Sequence, residues 1–370
     1  STYNNDKNQG EIDMKILDVK TEVFKWKRAV PIQNGKHTYP TRELGVVTIV
    51  TDEGIKGVGY GYLGFVDVFK ELLIGEDPLC NERLWSKMWV PKLVGRLGMT
   101  TRSLSAIDIA LWDIKAKKAG MPLYQLLGGA KKTIPVYAAG GYYQQGKGLK
   151  DLEEEMTEYI ESGVKAVKMK VGAADIKTDA KRVETVRRVI GPDVKLMVDA
   201  NCAYSLTEAI KFARMIEEYD PYWFEEPVEP DDYDGMRELT KRSAIPIATG
   251  ENEYTRYGFQ DLIKRSGIRI LNADVFIAGG ITEFMKIAAI AQANGCEIAP
   301  HGDHTIHSHL TCAIPNSLIL EYYPKRFDDV GQQIYTHQLT INSDGTISPP
   351  QVPGHGFEPN YEALEPFRIK

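Results

Sequence analysis

Lys168 and Lys170, in VKMKVG, have a spacing that could do chemistry. Strand side chains alternate with period two, so both amines should project from one face. Two neighbouring ammonium groups repel each other, which predicts a lowered pKa for each and one amine free to act as a base. Taken alone, K-x-K is common at a solvated strand end. Further along, VDAN puts Asp199 and Asn201 on one face, FEEP offers Glu225 and Glu226, and TGEN offers Glu251 followed by Asn252. Each acid by itself reads equally well as a helix N-cap or a first-turn acid. Three carboxylates brought to one place, however, need a cation or a proton, and hard oxygen ligands select Mg²⁺, with Mn²⁺ as its near substitute. LNADV supplies Asp274 and APHGDH supplies His301; a carboxylate beside an imidazole fixes its tautomer and raises its basicity. LEYY adds Glu321. HGDHTIHSH holds His301, His304, His307 and His309, a density that invites a zinc reading, but it sits at one strand–helix junction and lacks the glutamate of HExxH. His304 and His307 are expected to face a pocket, and His309 to pack in the following helix.

These residues fall at the ends of short apolar segments: IPVYAAG, AVKMKVG, KLMVDAN, YWFEEP, IPIATGEN, IRILNADV, CEIAPHG and SLILEYY. Amphipathic stretches such as DAKRVETVRRVIG and LTEAIKFARMIEEYD separate them. Strand–helix alternation predicts a parallel sheet with right-handed crossovers, and eight strands favour closure into a barrel whose functional groups gather at the strands' C-terminal ends. An open doubly wound sheet is the competing arrangement. Upstream, MKILDVKTEVFKW and LGVVTIVTDEGIKGVGYGY read as strands around a DEG turn, and LSAIDIALWDIKAKKAG reads as a helix stopped by Gly120 and Pro122. The predicted division is therefore a disordered extension over 1–13, an α+β capping domain over 14–133, the barrel over 134–325, and a segment over 326–370 that completes the cap. GVGYGYLG (57–64) lacks GxGxxG spacing and a P-loop lysine, so its glycines are assigned to a hairpin rather than to a phosphate site.

Composition narrows the class. The chain has 370 residues, 26% charged and 43% hydrophobic, with a formal charge of −6, which offers no basic surface for nucleic acid. Cys80, Cys202, Cys296 and Cys312 show no CxxC spacing and read as reduced thiols of a cytoplasmic protein. No apolar run is long enough to span a bilayer, and STYNNDKNQGEID lacks a signal peptide's apolar core.

In this order and spacing, KMK, VDAN, FEEP, GEN, NAD, APHG and LEYY, preceded by SAIDIALWDIKAKKAGMPLYQLLGG, resemble the enolase superfamily and its mandelate racemase subgroup. The resemblance implies a modified (β/α)7β TIM-like barrel under an α+β cap, Mg²⁺ on Asp199, Glu225 and Glu251, and a homo-oligomer. It implies Lys170 as a base, Lys168 as an electrostatic partner of the substrate carboxylate, His301 with Asp274 as the base on the opposite face, and a protonated Glu321 hydrogen-bonded to the enediolate. The cap segment KWKRAVPIQNGKHTYPTRE offers Lys27, Arg28, His37 and Arg42 as substrate contacts, and Asn201 and His304 are further candidates for substrate binding. A polar set of this kind suits a polyhydroxylated or dicarboxylic sugar acid. FEEPVEPDDYDG and APHG…HSHL further resemble acid-sugar dehydratases of the galactarate/talarate type. Racemisation, epimerisation or cycloisomerisation through the same enediolate is the alternative, and a binding protein on a decayed enzyme fold is the non-enzymatic one.

Overall fold

The structure, a computed structural model, describes residues 14–90 and 95–370; the extension predicted for 1–13 lies outside the described residues. β-Branched residues in the first segment form β1 (Ile16–Gln33) and β2 (Thr38–Thr51), which pair antiparallel, and β3 (Lys56–Tyr60) completes a three-stranded sheet. The β1–β2 register slips between Lys27 and Ile32. Such an irregularity re-aims side chains, and it falls at Arg28.

Helices α1 (Val66–Leu73), α2 (Asn81–Met88), α3 (Met99–Ala119) and α4 (Leu123–Leu126) follow. α3 stops at Gly120, whose φ of 66° is the left-handed C-cap that glycine adopts without steric cost. The glycine cluster has a packing explanation. A Cβ at Gly59 would lie 1.9 Å from the Ala106 carbonyl oxygen, so the missing side chains let α3 lie directly on β3.

Strand and helix then alternate through β4 (Ile134–Gly140), α5 (Leu149–Glu161), β5 (Ala166–Lys170), α6 (Ile176–Ile190), β6 (Lys195–Asp199), α7 (Leu206–Ile216), β7 (Trp223–Glu225), α8 (Tyr233–Arg242) and β8 (Ile247–Thr249). They continue through α9 (Thr255–Ser266), β9 (Ile270–Leu271), α10 (Val275–Ala278), α11 (Gly280–Ala293), β10 (Glu297–Ile298), α12 (His304–Ala313) and β11 (Leu320–Tyr322). The strands lie in the order β10-β9-β8-β7-β6-β5-β4-β11. A parallel bridge between Ile298 and Ser317, with Leu318 N–H donating to the Ile298 carbonyl at 2.8 Å, joins the two ends. Chain order around the sheet never reverses and the circle closes, so the architecture is a barrel and not an open doubly wound sheet.

Period two sorts the strand residues. Val167 and Met169 pack outward with the helices, whereas Ala166 joins Tyr137, Met197, Trp223 and Ala248 in the barrel interior. Beyond β11 the chain runs back over both parts. β12 (Thr346–Ile347) pairs antiparallel with the start of β4, Tyr60 Oη donates to the Phe357 carbonyl, and Val23 N–H donates to the Lys370 carbonyl at 2.9 Å.

Candidate active site

Lys170, Asp199 and Glu225 end three adjacent strands in matched register, Lys170 opposite Asp199 and Asp199 opposite Glu225. Glu251 follows β8, Asp274 follows β9, His301 follows β10, and Glu321 lies on β11. Most of the acid/base residues picked out in the sequence thus converge on one end of the barrel. Lys170, Asn201, Glu251 and His301 line a cavity of ≈ 450 Å³, with Arg28, Arg42 and His304 on its cap side. Lys168, Asp199, Glu225 and Glu321 are almost wholly buried beneath it.

The lysines differ from expectation. Lys168 Nζ donates to both Glu225 oxygens at 2.8 and 2.9 Å and lies 2.9 Å from Glu321 Oε1. Lys170 Nζ donates to Asp199 Oδ2. Burial opposes both charges, but the facing carboxylates outweigh it, so both pKa values rise instead of falling. Repulsion between the two amines is the smaller effect because each ammonium has an acid in direct contact. Glu321 is surrounded by cations. Although burial opposes its charge, Lys168, His301, Lys170 and the Gly302 N–H hold its pKa down to about 2. Gly302 N–H donates to its Oε2 at 2.8 Å.

His301 Nδ1 is 2.9 Å from Asp274 Oδ2, and its Nε2 faces Glu251 Oε2 at 3.7 Å. Burial works against the imidazolium, but Glu251 and the Asp274 hydrogen bond raise its pKa to about 10. Burial lifts Glu225 to about 8 and Glu251 to about 7, their own anionic neighbours adding to it and the nearby cations working against it.

The FEEP pair separates cleanly. Glu225 faces the barrel axis, with Trp223 Nε1–H donating to its Oε2 at 2.8 Å. Glu226 has a φ of 44° and turns away, taking bonds from Thr249 Oγ1 at 2.6 Å, Gly250 N at 3.0 Å and Cys202 Sγ at 2.9 Å. One oxygen each of Asp199, Glu225 and Glu251 lie within 4.8 Å of one another, the group among the described residues placed to share a metal ion. Among the described residues the histidines form no such group.

Residues 16–128 match the mandelate racemase / muconate lactonizing enzyme N-terminal domain, and residues 151–364 match the enolase C-terminal domain-like family. The chain is an enzyme of the enolase superfamily. It is 35% identical over 342 residues to an arabinonate dehydratase of Saccharolobus solfataricus, covering 89% of this chain and 91% of that one. It is also 35% identical over 333 residues to a 3,6-anhydro-alpha-L-galactonate cycloisomerase of Streptomyces coelicolor, covering 87% and 90% of the two chains. The crystal structure of a racemase from Streptomyces coelicolor A3(2) with bound magnesium superposes with a TM-score of 0.89 at 32% identity, covering 96% of this chain and 100% of that one.

This superfamily member has a donor set suited to a hard dication. Oε2 of Glu251 is buried with no hydrogen-bond partner. Asp199, Glu225 and Glu251 each bring one carboxylate oxygen within 4.8 Å of the others, a hard donor set that suits a divalent cation.

The cap-side residues divide. Lys27 lies opposite Thr41 on an exposed edge of the hairpin, and His37 is exposed against Tyr39; neither lines the cavity. Strand alternation directs Lys27 to the other face from Trp26 and Arg42. His304 packs against Tyr322 in a tilted arrangement, ring centroids 4.8 Å apart. His307, expected in the pocket, is buried behind it, donating from Nδ1 to the Asp303 carbonyl and accepting from Val275 N–H. His309 packs within α12, accepting from Tyr124 N–H. Tyr39, Arg102, Tyr142, Tyr323, Asp303 and Asp328 also face the cavity and were missed in the sequence. Asp303 lies inside the quoted APHGDH and could have been found there; Asp328 has no local signal.

Proposed function

We propose that this enzyme is a Mg²⁺-dependent acid-sugar dehydratase. The carrying observation is that Lys170 and His301 line one cavity from strands on opposite sides of the barrel, flanking the Asp199–Glu225–Glu251 group. A substrate whose carboxylate lies at that group has its α-carbon between two proton-transfer residues.

Mg²⁺ held by the three acids would supply Lewis-acid stabilisation of charge developing on the substrate carboxylate. Lys168, buried and charged, offers the same carboxylate a fixed positive neighbour. With Asp199 holding the metal, Lys170 would lose the carboxylate that favours its ammonium and release a proton to solvent, and the neutral amine then accepts the α-proton. As the C–H bond breaks, the electron pair enters the enediolate. It then returns to form the C=C bond while the β C–O bond breaks, and the departing hydroxyl takes the proton carried by His301 Nε2 to leave as water. The enol tautomerises to a 2-keto-3-deoxy acid. Asp274 keeps Nε2, rather than Nδ1, directed at the cavity.

Racemisation would use the same two residues, so the cavity wall favours elimination. Arg28, Asn34, Tyr39, Arg42, Asp303 and Asp328 would hydrogen-bond a polyhydroxylated chain, which carries a β-hydroxyl to expel. An apolar 2-hydroxy acid would offer this polar wall nothing to bond. The test is a panel of sugar acids with Mg²⁺, read as semicarbazide-reactive keto acid. α-Proton exchange in D₂O without keto acid would replace dehydration by epimerisation.

A further inference from the structure

Resting on the acid-sugar reading, the geometry points to a monocarboxylic sugar acid as substrate, with a neutral hydroxylated tail rather than a second carboxylate at the cap end of the cavity. The cap supplies two guanidinium groups to the wall, and two aspartates face them. Arg42 spans two acids, NH1 to Asp328 Oδ2 at 2.9 Å and NH2 to Asp303 Oδ2 at 3.2 Å, with its guanidinium 5.7 Å from the centre of the Trp26 ring. Arg28 NH1 donates to the Phe327 carbonyl at 3.0 Å and lies 3.9 Å from the same Asp328 Oδ2, while its buried Nε keeps a free donor that a hydroxyl oxygen can satisfy. Trp26 Nε1 and Gly331 N–H fix Asp328 Oδ1 at 2.8 and 2.9 Å. Two cations face two anions, so this wall carries no charge left over for a second carboxylate. Its carboxylates are acceptors that call for donors, and sugar hydroxyls are donors whereas a carboxylate is not. A second carboxylate placed here would meet Asp303 and Asp328 as like charges in a partly desolvated site.

Arg102, the third guanidinium on the cavity, stands elsewhere. Its Nε donates to Tyr254 Oη at 3.1 Å, in the loop that leaves Glu251, which ties it to the metal-ligand side of the mouth. The dicarboxylic option drawn from the polarity of the cap segment is therefore set aside, because Lys27 and His37 do not reach the cavity and the charges of Arg28 and Arg42 face those of Asp328 and Asp303.

The experiment measures binding and α-proton exchange of matched pairs that differ only at the terminal carbon, such as galactonate against galactarate and gluconate against glucarate, with Mg²⁺-loaded enzyme. Monoacids should bind at least about tenfold tighter than their diacid partners. Asp303→Asn keeps an N-cap oxygen for Thr305 N–H but removes one negative charge, and it should move the mono-to-diacid ratio at least about tenfold toward the diacids. Diacids that bind as well as monoacids, an unchanged ratio in Asp303→Asn, or a selective loss of diacid affinity in Arg102→Gln would each overturn the inference. Failure of both classes to bind or exchange would instead sink the sugar-acid reading beneath it.

Discussion

Trp223→Phe tests whether the barrel interior tunes the metal group. The indole N–H is 2.8 Å from Glu225 Oε2, and Trp223 is fully buried, two residues before Glu225 on the same face of β7. Phenylalanine keeps most of the edge contact with Tyr137, whose ring centroid is 5.4 Å away, but offers no donor. Lys168 still holds both oxygens of Glu225, so the carboxylate should stay in place but lose its orientation. A hydrogen bond to a charged group contributes about 1.5–3 kcal/mol. At about 1.4 kcal/mol per tenfold, that corresponds to a roughly 10–100-fold loss of affinity, the range found when a partner behind a metal ligand is removed. Titration calorimetry with Mg²⁺, or with Mn²⁺ read by electron paramagnetic resonance, measures it directly, and circular dichroism establishes that the variant is folded. A folded Trp223→Phe protein with wild-type metal affinity would refute the reasoning, since Glu225 would then need no interior support.

Glu225→Gln should abolish tight Mg²⁺ binding, whereas Glu226→Gln should retain it while losing about 1–3 kcal/mol of stability from its buried hydrogen bonds; the reverse pattern would exchange the two assignments. Lys170→Ala should keep metal but lose α-proton exchange from one face, and His301→Asn should keep exchange at the Lys170 face while losing keto-acid formation; full activity in either removes that residue from the mechanism. His309 is buried, and burial lowers its pKa to about 3 even though the His355 carbonyl accepts from its ring. Its folded pKa lies below the unfolded value of about 6.5, so the stability it preserves above that value is lost as pH falls toward 3, by about 2–3 kcal/mol between pH 6 and 4. Denaturant unfolding should show a shallower acid loss in His309→Gln, and an identical profile in the two proteins would contradict the assignment.

Strand periodicity made the site legible before any fold was in hand. Alternation is a local property, so K-x-K and the acids closing VDAN, FEEP and TGEN could be placed at strand ends from their neighbours alone, and eight such strands implied a closed barrel. Closure itself, the Ile298–Ser317 bridge, needed three dimensions because β10 has only two residues. Within FEEP the resemblance already pointed to Glu225, and the backbone turn at Glu226 supplies the physical reason by sending that side chain toward Thr249 and Cys202. The charge states went further from expectation. Lys168 and Lys170 are neighbours in sequence, which drew attention to their mutual repulsion, but their nearest charges are Glu225 and Asp199 on other strands. The cap behaved likewise, for Arg28 and Arg42 read as free contacts until Asp303 and Asp328 arrived from the far end of the chain. The sequence by itself determined which side chains stand on which face, because that follows from backbone geometry over a few residues. Only the tertiary structure decided which of them are charged, paired or available, because Coulomb energy depends on distance in space and not on separation along the chain.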